Sequence, residues 1–117
     1  MKVKCVVPMA SVRDLDETIA FYSRVLEFEC LKRAEGWACL AKDGVEFMVA
    51  LPNQHEPFER PVFTGSFHFR TDDVDELWTT VKDKAMVVYA IETFDYGMRE
   101  FAIRDNNGYI LQFGQEV

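Results

Sequence analysis

Thiols, imidazoles and glycines are scarce in this chain: its 117 residues hold three cysteines, two histidines and six glycines. Cys5, Cys30 and Cys39 are odd in number and lack metal-site spacing. That excludes a disulfide framework and a zinc knuckle, and predicts reduced, mostly buried thiols. His55 and His68 are too few for a cluster of imidazole ligands, and no glycine-rich stretch is present to cradle a phosphate. Basic residues are also short, 13 against 20 acidic ones, for a net charge of −7. Nucleic acid and anionic membrane surfaces both require clustered Lys and Arg and are excluded as partners. The same charge suits a cationic or neutral small ligand, and equally suits solubility alone. Long apolar runs are missing too. The stretch after Lys4 is broken by Pro8, so neither a signal peptide nor a membrane span is expected, and the location implied is cytoplasmic.

What is present is the composition of a folded domain, 49% hydrophobic and 28% charged. A chain of this length forms one domain. Aromatics reach 14%, more than so small a core needs, which leaves some for a pocket or a subunit contact.

The chain also repeats itself. Ser11 to Tyr22 (SVRDLDETIAFY) and Arg70 to Val81 (RTDDVDELWTTV) share an Asp, a Glu three residues later and an amphipathic run, with Asp14 and Asp73 59 residues apart. Asp followed by Glu at that spacing is a capping box, so each copy predicts a helix start. Helix capping accounts for Asp72, Asp73, Asp75 and Glu76 better than acid–base catalysis does. Leu15, Ile19, Tyr22 and Leu26 fall on one helical stripe, as do Val74, Leu77, Trp78 and Val81. Period-two alternation predicts strands at Val3 to Pro8, Glu29 to Arg33, Trp37 to Ala41 and Val45 to Leu51. In the second half it predicts Ser66 to Arg70, Met86 to Ile91, Arg99 to Ile103 and Tyr109 to Gln115. Asp43-Gly44 and Asn107-Gly108 supply matching turns. Each half is therefore βαβββ: module 1 about 1–51, a proline-bearing linker 52–64, and module 2 about 65–117. The second half is longer between helix and turn, and the surplus is assigned to a loop from Glu92 to Met98, a candidate ligand contact.

Two βαβββ modules, the opening Pro8 to Phe28 and the closing Tyr96 to Gln115 (YGMREFAIRDNNGYILQFGQ) resemble the vicinal oxygen chelate superfamily of glyoxalases, extradiol dioxygenases and bleomycin-resistance proteins. The resemblance covers the whole chain. It implies an α+β fold in which tandem βαβββ modules form a pseudo-symmetric curved sheet, with a concave cup and helices on the convex side. Metal-dependent members hold one divalent ion by four side chains on the first and last strand of each module, positions that fall on Val7, Met48, Ser66 and Gln112. A Val and a Met lack hard donors, and Ser and Gln are weak neutral ones, so no metal and no other cofactor is expected. A register shift of one residue in the strand ending at Leu51 would substitute Phe47, and of two, Glu46.

The function implied is that of the bleomycin-resistance-like members: a homodimer that sequesters a small organic ligand, cationic or otherwise, in a cup at the dimer interface, without chemistry. The expected ligand-facing residues are Val7, Met9, Trp37, Glu46, Met48, Phe58, Ser66, His68, Tyr96, Glu100, Arg104 and Gln112. For Glu100 and Arg104, pairing with each other competes with facing a ligand. The alternative is a metal-dependent lyase, isomerase or dioxygenase with a site shifted to His68 and Glu46 or Glu100.

Overall fold

The computed structural model describes residues 1–2, 4–53, 59–63 and 65–117. These divide into two compact units, Met1–Glu59 and Arg60–Val117, and the division falls inside the proline-bearing stretch. The first unit runs β1 (Met9–Ser11), α1 (Leu15–Leu26), β2 (Glu29–Ala34), β3 (Trp37–Lys42) and β4 (Val45–Ala50). The second runs β5 (Phe67–Arg70), α2 (Val74–Val81), β6 (Met86–Phe94), β7 (Met98–Arg104) and β8 (Ile110–Glu116). Each unit is thus an α+β module, βαβββ, with a four-stranded sheet: β1-β4-β3-β2 in the first and β5-β8-β7-β6 in the second. Only the first and last strands of each module pair in parallel; the remaining ladders are antiparallel hairpins.

Both helices begin at the predicted aspartates. The Asp14 side chain accepts the Glu17 N–H at 2.9 Å and Asp73 accepts that of Glu76 at 3.2 Å, satisfying backbone donors that a first helical turn otherwise leaves unpaired. Helix α1 buries Leu15, Thr18, Phe21, Tyr22, Val25 and Leu26. Ile19 lies only half-buried at the edge of that stripe, with Thr18 taking the inner position. Tyr22 stacks on Phe47 of β4 at 5.5 Å and meets Phe28 edge-on at 5.9 Å. In the second unit Trp78 of α2 packs on Phe101 at 5.1 Å, and Phe101, Phe113 and Phe69 continue as a stack at 5.3 and 5.1 Å. The Asp43-Gly44 hairpin carries φ of 51° and 81°, the paired positive values of a tight two-residue turn. At the equivalent corner of the second unit, the buried Asp105 carboxylate accepts the N–H groups of Asn107 and Tyr109 at 2.8 and 2.9 Å.

Three expectations are corrected. The first strand is Met9–Ser11 and not Val3 to Pro8. Lys4 to Val6 are exposed, and pairing starts only at the Pro8 carbonyl, which accepts the Met48 N–H at 2.8 Å. Proline has no N–H of its own to extend that ladder backwards. Secondly, Glu92 to Met98 is not a loop: β6 extends to Phe94 and β7 starts at Met98, so the surplus residues lengthen a hairpin, with two register shifts between Val87 and Glu92. Bulges absorb extra residues without ending a ladder, which alternation read in a single strand does not register. Thirdly, Cys5 and Cys30 are exposed and only Cys39 is buried. Strand β2, which carries Cys30, is an edge strand exposed throughout.

Candidate functional site

The helix of each unit covers one face of its sheet, and alternation assigns the other face directly. In the first unit Ala10, Leu40, Phe47 and Val49 are buried on the α1 side, so Met9, Ser11, Trp37, Cys39, Glu46, Met48 and Ala50 belong to the helix-free face. Met48 therefore lies on that face with Glu46 and Ala50, paired with Met9 of β1, while Phe47 lies beneath α1. In the second unit the α2 side takes Phe69, Phe101, Ile103, Leu111 and Phe113. The helix-free face takes His68, Arg70, Tyr89, Glu92, Phe94, Met98, Glu100, Ala102, Gln112 and Gly114.

The cross-strand register superimposes the two faces residue by residue. Met9 faces Met48 as His68 faces Gln112, and Trp37 faces Ala50 as Glu100 faces Gly114. What the first unit makes of these positions is apolar: the Trp37 Nε1–H donates to the Met48 sulfur at 3.2 Å, and Met9 stays half-exposed at 55%. Beside them Cys39 donates to Glu46 at 3.2 Å, and its burial, with that carboxylate next to it, pushes the thiol above its ordinary range.

In the second unit the same positions form a linked polar network. The Ser66 hydroxyl donates to Gln112 Oε1, and Gln112 Nε2 donates to the Tyr89 hydroxyl at 2.8 Å. The Tyr89 phenol is raised above its ordinary range, by its burial first and then by the neighbouring negative charge of Glu100. His68 Nε2–H donates to Glu100 Oε2 at 3.2 Å. Glu100 is 2% exposed and the imidazole 31%. A carboxylate so enclosed stands only when its oxygens are hydrogen-bonded and its charge is met. Glu100 and Arg104 do not pair: Arg104 donates instead to the Gly108 carbonyl at 2.8 Å, bracing the β7–β8 turn.

The remaining predicted residues scatter. Val7 precedes β1 and is half-buried, and Glu46 is exposed. Tyr96 sits in the β6–β7 turn, 66% exposed and stacked on Phe94 at 5.4 Å. Phe58, like His55, lies outside the described residues. Arg70, Tyr89, Ala102 and Gly114 of the second face escaped the sequence reading, while Glu92, Phe94 and Met98 entered it only as part of the expected loop. The β6 bulges hid Tyr89, which shares a face with Glu92 only because the strand slips between them. Gly114 left a readable signal, because a lone glycine inside a strand marks a close approach.

A divalent ion does not fit the four strand positions Val7, Met48, Ser66 and Gln112. Val7 has no donor, the Met48 thioether is a soft acceptor already used by Trp37, and the Ser66 hydroxyl is spent on Gln112. Among the described residues no group of three or more His, Cys, Asp and Glu converges elsewhere, so His68 and Glu100 stand as a pair.

A paired βαβββ fold with its first and last strands parallel defines the class, and the family model of the Glyoxalase/Bleomycin resistance protein/Dioxygenase superfamily matches residues 5–113. The chain belongs to that superfamily. Among solved structures it resembles a protein of unknown function from Agrobacterium tumefaciens, with 18% identity, TM-score 0.83 and coverage of 100% of this chain and 97% of that one. TioX from Micromonospora is similar at 22% identity and TM-score 0.79, covering 97% and 100%. A bleomycin-binding protein complexed with bleomycin shows 22% identity and TM-score 0.79, covering 98% and 100%. No curated protein matches the sequence. Likenesses this remote establish the fold.

Proposed function

We propose that the protein binds a small organic molecule without a metal and holds it by sequestration rather than by chemistry, as a cytoplasmic homodimer whose second subunit covers the helix-free sheet faces. One observation carries the reading: hydrogen bonds from Ser66 to Gln112 and from Gln112 to Tyr89 beside the His68–Glu100 pair, all on one helix-free face. A face that only meets solvent carries mobile charges, and a face that only packs is apolar. Interlinked, partly enclosed polar groups beside aromatic ones are the usual lining of a ligand site. The bleomycin-binding likeness and the net charge of −7 support a ligand of that general kind.

The test is a thermal-shift screen of a metabolite panel that includes cationic glycopeptides such as bleomycin. A binder at 100-fold excess over its Kd gains about 2.7 kcal/mol, a shift of several degrees. No stabilisation by any compound overturns the binding reading. Elemental analysis of protein purified without chelator checks the other half, and a stoichiometric, tightly held divalent metal overturns the metal-free assignment in favour of lyase or dioxygenase chemistry around His68. Sedimentation at twice the 13.6 kDa monomer mass is the expected outcome for the dimer.

A further inference from the structure

The contact between His68 and Glu100 spans an entire strand. His68 belongs to β5, Glu100 to β7, and β8 runs between them. What lets the imidazole cross is Gly114: a Cβ built there would stand 3.0 Å from His68 Cε1, 3.1 Å from Nε2 and 2.7 Å from Met98 Cε. The contact with Met98 is closer than a Cβ accepts and those with the ring are tighter than usual, so even a methyl at 114 would push the end of Met98 aside and press the imidazole off its place. The first unit has Ala50 at the equivalent position and no such crossing.

The carboxylate beneath the ring has few other sources of positive charge. The arginines of this sheet are engaged elsewhere, Arg70 with Glu116 at 3.2 Å, Arg99 with Asp75 at 2.9 Å, and Arg104 with the Gly108 carbonyl. Directly across the ladder from Glu100 stands a second acid, Glu92. The neighbouring groups are aromatic: Tyr89, whose phenol feels the Glu100 charge, meets Phe94 edge-on at 5.7 Å. Buried negative charge near aromatic rings is the environment that favours an organic cation, through charge-assisted hydrogen bonding and cation–π attraction together. His68 is the one member able to leave, because β5 is an edge strand and the imidazole is a third exposed while Glu100 is enclosed.

We propose that Glu100 anchors a protonated nitrogen of the ligand and that His68, lying over Gly114, is the group this nitrogen displaces. The assignment rests on the binding reading above and adds to it the ligand class, an aromatic or aryl-bearing organic cation, and the residue that selects it. Glu100 would then exchange the His68 N–H donor for the N–H of the ligand, with Tyr89 and Phe94 flanking the incoming group.

The test uses benzamidinium and its neutral isostere benzamide as probes, with binding followed by NMR titration of the His68 ring and Gly114 amide signals. Benzamidinium is expected to move both signals and to bind about tenfold more tightly than benzamide. Glu100→Gln should abolish that preference, and His68→Ala should strengthen benzamidinium binding by removing its competitor. Equal affinity for the two probes, a preference that survives Glu100→Gln, or weaker binding in His68→Ala overturns the proposal. Should Glu100→Gln fail to fold, Glu92→Gln decides, since the preference must fall when the facing acid is neutralised and an undiminished preference overturns it. Neutral or anionic compounds moving these signals while benzamidinium does not would overturn the cation assignment and leave the binding reading intact. Silence from the whole thermal-shift panel removes the binding reading itself.

Discussion

The two units share one strand order, one pattern of parallel and antiparallel ladders, and one capping device, yet their helix-free faces are chemically opposite. Trp37, Met48, Met9 and Ala50 in the first occupy the positions of Glu100, Gln112, His68 and Gly114 in the second. The Trp37–Met48 contact satisfies one indole donor with one soft acceptor and ends there. The polar group in the second unit gathers five side chains, among them a carboxylate that is 2% exposed. Duplication thus preserved what the backbone requires, namely caps, turns and an apolar underside, and left the other face free to diverge. The asymmetry places a hydrogen-bonding and charged surface in one unit and an apolar one in the other.

The largest expected effect tests whether the undersides are as equivalent as the caps. Phe47 and Phe101, 1% and 0% exposed, each sit under their unit's helix. Phe47→Ala and Phe101→Ala should each lower stability by about 3–5 kcal/mol in urea titrations. A loss below about 1 kcal/mol at either would show that the two undersides are not packed alike. The helix-free faces should respond unequally. Gly114→Ala should cost about 1–3 kcal/mol through overpacking and release the His68 ring from Glu100, seen as a change in the ring's NMR shifts. Ala50→Gly, where only backbone freedom changes, should cost about 0.5–1 kcal/mol. If Gly114→Ala proves as mild as Ala50→Gly, with the His68 signals unmoved, the space over Gly114 is not what permits the crossing.

The caps should behave alike again. Asp14→Ala and Asp73→Ala should each cost about 1 kcal/mol by chemical denaturation, and a twofold or greater inequality would break the equivalence of the two helix starts. The smallest effect is kinetic. Aromatic disulfide reagents should modify Cys5 and Cys30 rapidly and Cys39 slowly, because burial and Glu46 hold the Cys39 thiol protonated. Three equally fast thiols would mean that the first helix-free face is more open than its packing indicates.

Much of the frame was legible beforehand, because its signals are local. An Asp three residues before a Glu, an Asp-Gly pair between alternating runs, and a stripe of apolar residues each act over one or two turns of chain. The facing of β4 was legible for the same reason: the alternation that buries Phe47 and Val49 puts Met48 on the other side, together with Glu46. The start of β1 was misplaced because apolar character at Val6 and Val7 resembles a strand, while the ladder needs a partner that begins only opposite Pro8. The hairpin from Met86 to Arg104 was mistaken for strand plus loop because bulges reset the alternation that identifies a strand.

The amino-acid sequence by itself determined the duplicated βαβββ plan, both helix starts, the main turns and the lack of any carboxylate or imidazole at the four strand positions. These follow from properties of neighbouring residues. Only the tertiary structure decided the site. Strand order places β8 between β5 and β7, glycine at 114 opens the passage, and two bulges turn Tyr89 and Glu92 to the same side. His68 and Glu100, 32 residues apart in sequence, meet because of a sheet order and a missing Cβ. Such a contact arises from the pairing of distant strands, which local periodicity does not encode.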